Sequence, residues 1–578
     1  MTTISQHAPA SRYTPPAPGT ARPGDGAPAA VAHDGALPDA LVWFGGTIVI
    51  FSLLFIGAVS GDALFHSERY ANGTWVLNPN HLLFEPIGAA WHRLLVALGS
   101  TREIPDQLIL LSVWSGALSL GLFRYGIAGF LKNRTLANYA TLWVAFSSAW
   151  LRLLISGEHF MLEMPFMVLS ALATLRYVRD RQLRDAALAG AFGGVAALFM
   201  ISNVIIVSFT VGVGLALWHA VRREWRRATA VLFTVGAASA AVMIGALFIA
   251  WAIAVPDGIG FIEWTTNYSG GGRSSREALA YGLNASGASL PVAAARALYG
   301  AASSLLDLQP VVQVFRDGTA VTARTVIAIA SFVVTAAFFA AMLAVLWRHR
   351  RDSRTLGVLL LVTAWAIGTL GFAVLWDNSD DQFYFHLAIC FALVAAMGAA
   401  ALTPRWRRLA MAVGAVTILF NAGDVLTRFV LYPRTERIAA LKDGLQGAGL
   451  IVAPGENDVE TMISFTGPET IRRYSTIIVI AGEHEQAEGL AVLEDRIRQA
   501  LARGERVDLL EMFDTPPNIV PWKTLRRMDW DKAAVLAVLD KFPVEPVSRR
   551  LGPYTVRSIH PTPSRTDTAS ISTANVRR

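Results

Sequence analysis

Apolar residues run through this chain in stretches close to 20 long, the length of helix that a bilayer's hydrocarbon core requires (roughly 20 residues). About eleven such spans can be counted: Leu41 to Ser60, Gln107 to Leu131, Leu136 to Ile155, Phe160 to Tyr177, Ala186 to Ile201, Val204 to Ala220, Ala228 to Val255, Arg324 to Trp347, Leu356 to Trp376, Phe383 to Leu402 and Leu409 to Leu431. Two longer connectors interrupt the series, 61–106 and 256–323. After Tyr432 the pattern changes. Short β-branched runs (Gly449 to Ala453, Ser475 to Ala481, Arg506 to Leu510) alternate there with charged helical stretches such as Ala487 to Ala502, the pattern of a small α/β domain. The fold class expected is an α-helical polytopic membrane protein of about 11 transmembrane helices with a small C-terminal α/β extracytoplasmic domain.

Composition agrees with that pattern. The chain has 578 residues, 53% hydrophobic and 16% charged, with a mean hydropathy of +0.44, too little polar surface for an ordinary soluble domain. Its net charge of +7 does not point to nucleic acid, because the Lys and Arg residues cluster at the ends of apolar spans. Lys132 with Arg134, the group Arg176 to Arg184, the group Arg222 to Arg227, the group Arg348 to Arg354 and the group Arg405 to Arg408 fall on every second connector, which marks those connectors as cytoplasmic. An odd number of spans then puts the N-terminus inside and the C-terminus outside, as in a protein of the bacterial inner membrane. The expected organisation is a disordered cytoplasmic tail over 1–38, a transmembrane region over 39–432, an extracytoplasmic domain over 440–560 and a disordered tail over 561–578. The Pro/Ala/Gly-rich start is followed by a full-length apolar span, so it reads as a tail before an anchor and not as a cleaved signal peptide. The single cysteine, Cys390, lies in an apolar run and permits no intramolecular disulfide.

Candidate chemistry gathers on the connectors predicted to lie outside. Asp62, His66 and Arg69 fall at i, i+4 and i+7 if the first helix continues past the membrane, one face carrying an acid, an imidazole and a guanidinium. From His81 an amphipathic stretch runs to Leu98. Leu83, Ile87, Ala90, Leu94 and Ala97 form its apolar stripe while His81, Glu85 and His92 take another face, so it should lie in the membrane interface. The connector with Glu158 and His159 leads into Glu163, an acid at the start of a span, where it needs a partner or a wet cavity. A His159/Glu163 pair is the simplest partner by spacing. Arg273 and Arg276 flank a Gly270-Gly271-Gly272 run that could surround a phosphate. His386, an imidazole within an apolar helix, reads as a cavity-lining residue.

These motifs resemble those of the GT-C superfamily of integral-membrane glycosyltransferases, the class of the protein O-mannosyltransferases and the aminoarabinose transferase of lipid A. Gly61-Asp62-Ala63 stands where that class carries an acid after its first span. Asn80-His81-Leu82-Leu83-Phe84 resembles its interfacial His-Pro-Leu motif, Glu163-Met164-Pro165 its acid at the mouth of the fourth span, and Gly190 to Asn203 its glycine-rich span. The class pairs its acids after the first span and ends the glycine-rich span in Leu-Thr-Lys. Here there is a single Asp62 with Glu68 six residues on, and Ile201-Ser202 replaces the Thr-Lys.

The resemblance implies transfer of a sugar from a polyprenyl-phosphate carrier to a lipid, glycan or protein acceptor on the outer face, with membrane lipids around the site. Asp62 would be the base and Glu163 a second acid. Arginines such as Arg69 and Arg273 would steady the leaving phosphate, with Arg276, His66, His81, Glu85, Glu158, His159 and His386 around the substrates. A carboxylate base requires no cofactor, and a divalent metal would be an addition to that scheme rather than a condition of it. The competing reading is a polytopic transporter or lipid-linked glycan flippase, which internal repeats would favour; no convincing self-similarity between the halves is present.

Overall fold

The computed structural model describes residues 35–53, 66, 67, 70, 77–102, 104–157, 159–255, 259–267, 289–308, 310–312, 314, 320–375, 381–430, 443–455, 474–477, 480, 481, 484–514, 522, 525, 526, 528–551 and 554–561. The expected N-terminal tail to residue 34, most of the loop between the first span and the interfacial helix, the glycine-arginine run and the C-terminal tail lie outside the described residues.

The apolar spans fold as helices: α1 Ala36–Leu53, α2 Phe84–Ala97, α3 Ile104–Leu131, α4 Arg134–Ala145, α5 Ser148–Leu154, α6 Phe160–Asp180, α7 Leu183–Phe199, α8 Thr210–Val221, α9 Trp225–Ala254, α10 Phe261–Asn267, α11 Leu290–Leu305, α12 Ala323–Arg348, α13 Ser353–Leu375, α14 Leu387–Ala401 and α15 Pro404–Val430. Among the described residues, six helices are long and apolar enough to cross a membrane: α3, α6, Val204–Val221, α9, α12 and α13. Three expected spans are not single α-helices. Leu136 to Ile155 breaks into α4 and α5 at Phe146-Ser147, where Ser147 is extended and its hydroxyl donates to the Val144 carbonyl at 3.0 Å; serine competes for backbone groups in this way. Val204–Phe209 is a π-helical entry into α8, and Asp381–Tyr384 is a 3-10 turn before α14.

Position in the bundle follows from which faces are covered. In α6, 83% of the apolar window is buried, against 17% in α9 and 28% in α12. The latter two turn apolar side chains such as Phe233, Ile253 and Val333 outward, the surface that acyl chains cover. The seam between α7 and α9 is built on small residues. A Cβ at Gly194 would lie 2.7 Å from the Ser239 carbonyl oxygen, and one at Gly190 would collide with the backbone of Val235. Close backbone approach is how membrane helices gain dispersion contacts without a hydrophobic drive.

Beyond residue 443 the chain forms a five-stranded sheet in the order β2-β1-β3-β5-β4, with β1 Ala448–Ala453, β2 Tyr474–Thr476, β3 Arg506–Leu510, β4 Arg549–Leu551 and β5 Tyr554–Ile559. Strands β1, β2 and β3 are parallel, as the crossover helix α16 Gln486–Ala502 requires. The pair β4/β5 closes the edge antiparallel to β3. The run expected as a strand to Ala481 leaves β-structure at Thr476, and Ile477 and Ile480 are buried in helical conformation; a short apolar run has no periodicity to separate the two.

Candidate active site

Helices α6 and α7 pack side by side, and the end where α6 begins and α7 finishes carries a cluster of buried polar groups. The segment before α2 is tied to this end through its backbone. Leu83 N–H donates to the Leu198 carbonyl at 3.0 Å and Ile201 N–H to the Asn80 carbonyl at 3.2 Å. Asn78 caps the 3-10 turn Pro79–His81 by accepting from the Asn80 N–H at 2.9 Å. His81 is thereby placed with Nδ1 at 2.9 Å from the Phe199 carbonyl.

Glu163 lies in the first turn of α6 and is 1% exposed. Its Oε2 accepts from Nδ2 of Asn203 at 2.6 Å, and the same nitrogen reaches the Ala196 carbonyl at 3.2 Å. The His159/Glu163 pair expected from spacing is not formed. His159 precedes the helix in a conformation that turns its ring away, against His81 with centroids 4.3 Å apart, Phe160 at 4.0 Å and Phe84 at 5.6 Å. Burial, together with the neighbouring imidazoles of His81 and His66, holds His159 well below the ordinary histidine range, so at neutral pH it is an uncharged ring.

On the other side of Phe84, His66 meets that ring edge-on at 4.6 Å and points Nδ1 at Oε1 of Glu85, 3.3 Å away. Both residues are buried. Gly88, one turn along α2, makes room for Tyr70, whose Cζ would stand 2.8 Å from a Cβ there. Phe84 is thus the partition between a His66/Glu85 pair and the His81/His159 pair.

His386 lies apart from these residues. Its Nε2 shares a 2.9 Å hydrogen bond with the Thr369 hydroxyl, and rings link it back to the cluster through Phe385 (5.4 Å), Phe160 (6.0 Å from Phe385) and His159. Asp62, Arg69, Glu158, Arg273 and Arg276 lie outside the described residues. Among the described residues, no three His, Cys, Asp or Glu side chains are grouped to hold a metal ion.

Helix α2 presents two different faces. Phe84, Glu85, Gly88 and Ala89 are buried against protein, with His92 Nδ1 at 2.8 Å from Gln107 Oε1 and Trp91 donating to the Gln107 carbonyl at 2.7 Å. Leu83 and Ile87, at the start of the expected stripe, pack against the cluster of Phe84, Leu162 and Phe199. The stripe's later part and its neighbours stand uncovered, with Leu94 50%, Val96 53% and Leu98 74% exposed. The uncovered apolar side chains at the far end of α2 are of the kind that a membrane interface covers.

Asn203 is the residue that sequence reasoning passed over as an individual. The available signal was its position at the foot of the glycine-rich span, an amide at membrane depth needing a partner.

No family model matches this chain, and no curated protein matches it in sequence. Solved structures do match in fold. The crystal structure of ArnT from Cupriavidus metallidurans bound to undecaprenyl phosphate has a TM-score of 0.52 at 12% identity, covering 90% of this chain and 98% of that one. The apo state of the same protein gives 0.51 over the same shares. At that identity the likeness is one of architecture: the chain shares the overall fold of ArnT.

Proposed function

We propose that this protein is a glycosyltransferase that moves a sugar from a polyprenyl-phosphate carrier to an acceptor on the outer face of the membrane. The observation that carries the reading is a group of acids and imidazoles, buried Glu85, Glu163, His66 and His159 with half-buried His81, at one end of a fold whose solved neighbour binds undecaprenyl phosphate. That end is the one whose connectors, such as Gly157 to His159 and Ser202 to Asn203, lack Lys and Arg, which supports an outward site in an inner-membrane protein with its N-terminus inside.

In the proposed reaction the acceptor hydroxyl oxygen attacks the anomeric carbon as the bond from that carbon to the phosphate oxygen breaks. The hydroxyl proton passes to the Asp62 carboxylate, and the polyprenyl phosphate leaves as the anion. Arg69, Arg273 and Arg276 are assigned to that anion, since guanidinium forks match phosphate oxygens. His66, held by Glu85 four residues after Asp62, would orient the base's segment. Glu163 would serve as the second acid, with His81, Glu158, His159 and His386 lining the way to it. These assignments need no metal.

The test is turnover by the full chain in proteoliposomes carrying undecaprenyl-phosphate sugars, with glycan mass spectrometry of cells that have and lack the protein. A lipid-linked sugar accumulating in its absence names the donor. Asp62→Asn should abolish transfer and leave lipid binding intact. Unchanged activity in both Asp62→Asn and Glu163→Gln would overturn the mechanism.

A further inference from the structure

The opposite end of the bundle holds a crevice that the reaction does not use. It opens between α3 and α6 near their C-terminal ends, has a volume of about 360 Å³, and is lined by Tyr125, Gly126, Gly129, Leu172, Arg176 and Arg179 among others. Leu172 fills the space beside Gly126. On the α6 wall, Leu172, Leu175, Arg176 and Arg179 fall at i, i+3, i+4 and i+7, a single helical face that is apolar toward the bundle's middle and basic at its rim.

The charge at that rim is not balanced. Arg179 forks onto Asp180 at 2.8 and 2.6 Å and extends Nη1 to the Gly129 carbonyl at 3.4 Å. Asp185 also lies near Arg179; against these two acids stand Arg176, Arg179 and Arg354 and, directly after α3, exposed Lys132, so the rim is net positive. Up the same face of α3, Leu118 and Trp114 stand 45% and 43% exposed at four-residue spacing, and Tyr125 is 41% exposed seven residues on. An apolar track therefore leads from the crevice along the bundle's outer wall. A groove with a cationic mouth and an apolar track fits a molecule with an anionic head and acyl chains.

We propose that this crevice binds the headgroup of an anionic phospholipid, its phosphate at Arg176 and its chains along Leu118 and Trp114. A membrane-embedded basic pocket between helices recognises lipid charge in this way. The site is separate from the glycosyl-transfer reading, and its test reads lipid occupancy rather than turnover. The purified full chain is incubated with equimolar phosphatidylglycerol and phosphatidylcholine, and retained lipid is counted by native mass spectrometry. Wild type should retain several-fold more phosphatidylglycerol. Arg176→Gln should bring it down to the phosphatidylcholine level, while Arg351→Gln, on an exposed basic connector elsewhere, should leave the preference intact. Equal retention of the two lipids by wild type overturns the proposal, as does equal loss in the two variants, which would mean diffuse surface charge. Full displacement by inorganic phosphate also overturns it, because the site would then hold phosphate without the lipid.

Discussion

Asn203 donates its amide to the buried carboxyl of Glu163 at 2.6 Å, joining the start of α6 to the segment that follows α7. Removing the donor leaves a buried acid without this hydrogen bond, which costs about 1–3 kcal/mol. Asn203→Leu should lower the unfolding midpoint and reduce transfer through kcat more than through KM. Asn203→Asp sets two acids together and should be worse in both respects. Thermal unfolding with single-turnover assays checks this, and a silent Asn203→Leu would separate Glu163 from both roles.

At the other end of the bundle, Asp39 accepts from two arginines. Arg134 reaches it at 2.5 and 2.7 Å, and Arg124, which is fully buried, bonds to it and also donates to Asn138 at 2.5 Å. Asp39→Ala strands the Arg124 charge, a loss of about 3–5 kcal/mol. Arg134→Gln, whose side chain is 70% exposed, should cost far less, because water screens an exposed ion pair. Chemical denaturation in detergent distinguishes the two, and equal effects would show that burial of Arg124 is not what sets the cost.

A third pair predicts a pH dependence. Glu224 sits on the connector after α8, where Nδ1 of His219 lies 2.6 Å from its Oε2 and Arg222 and Arg181 approach its other oxygen. The His219 hydrogen bond, opposed by partial burial and aided by the two guanidinium groups, lowers its pKa. A carboxylate depressed on folding stabilises above its unfolded pKa, about 4.3, and that stability is lost as pH falls through the lower folded value. Melting curves should therefore show Glu224→Gln destabilised at neutral pH, with the difference from wild type shrinking as the pH falls below about 4.3. A difference that is constant with pH would assign the effect to packing.

The α7/α9 seam gives a fourth expectation. Gly194→Ala places a methyl 2.7 Å from the Ser239 carbonyl oxygen and 3.1 Å from its Cα, and backbone cannot step aside as a side-chain tip can. Overpacking of this kind costs about 1–3 kcal/mol. Gly245→Ala on α9, where no atom lies within 4 Å of the added Cβ, should be neutral in the same thermal assay.

Much of this architecture is legible in the hydropathy pattern, because a bilayer imposes one length on every spanning helix. What the pattern hides is pairing between elements. His159 and Glu163 have the spacing of helical neighbours, but that rule holds only inside the helix, and His159 stands just before it; its partner, His81, is 78 positions away in sequence. Arg124 lay in plain view within the expected span Gln107 to Leu131, and the cost of a guanidinium at that depth is the cue by which it could have been found. The break at Phe146-Ser147 and the π-turn after Asn203 leave no mark on an apolar average. Asp62 and the arginines assigned to the phosphate rest on the sequence and the resemblance.

Helix α2 is gripped by protein at Phe84, Glu85, Gly88 and Ala89 and bares Leu94, Val96 and Leu98 at its far end. Its two ends therefore meet different surroundings, packed protein at one and uncovered apolar side chains at the other. Glu85 lies on the gripped end and holds His66, so the helix that anchors this part of the site is the same one whose far end carries bare apolar surface.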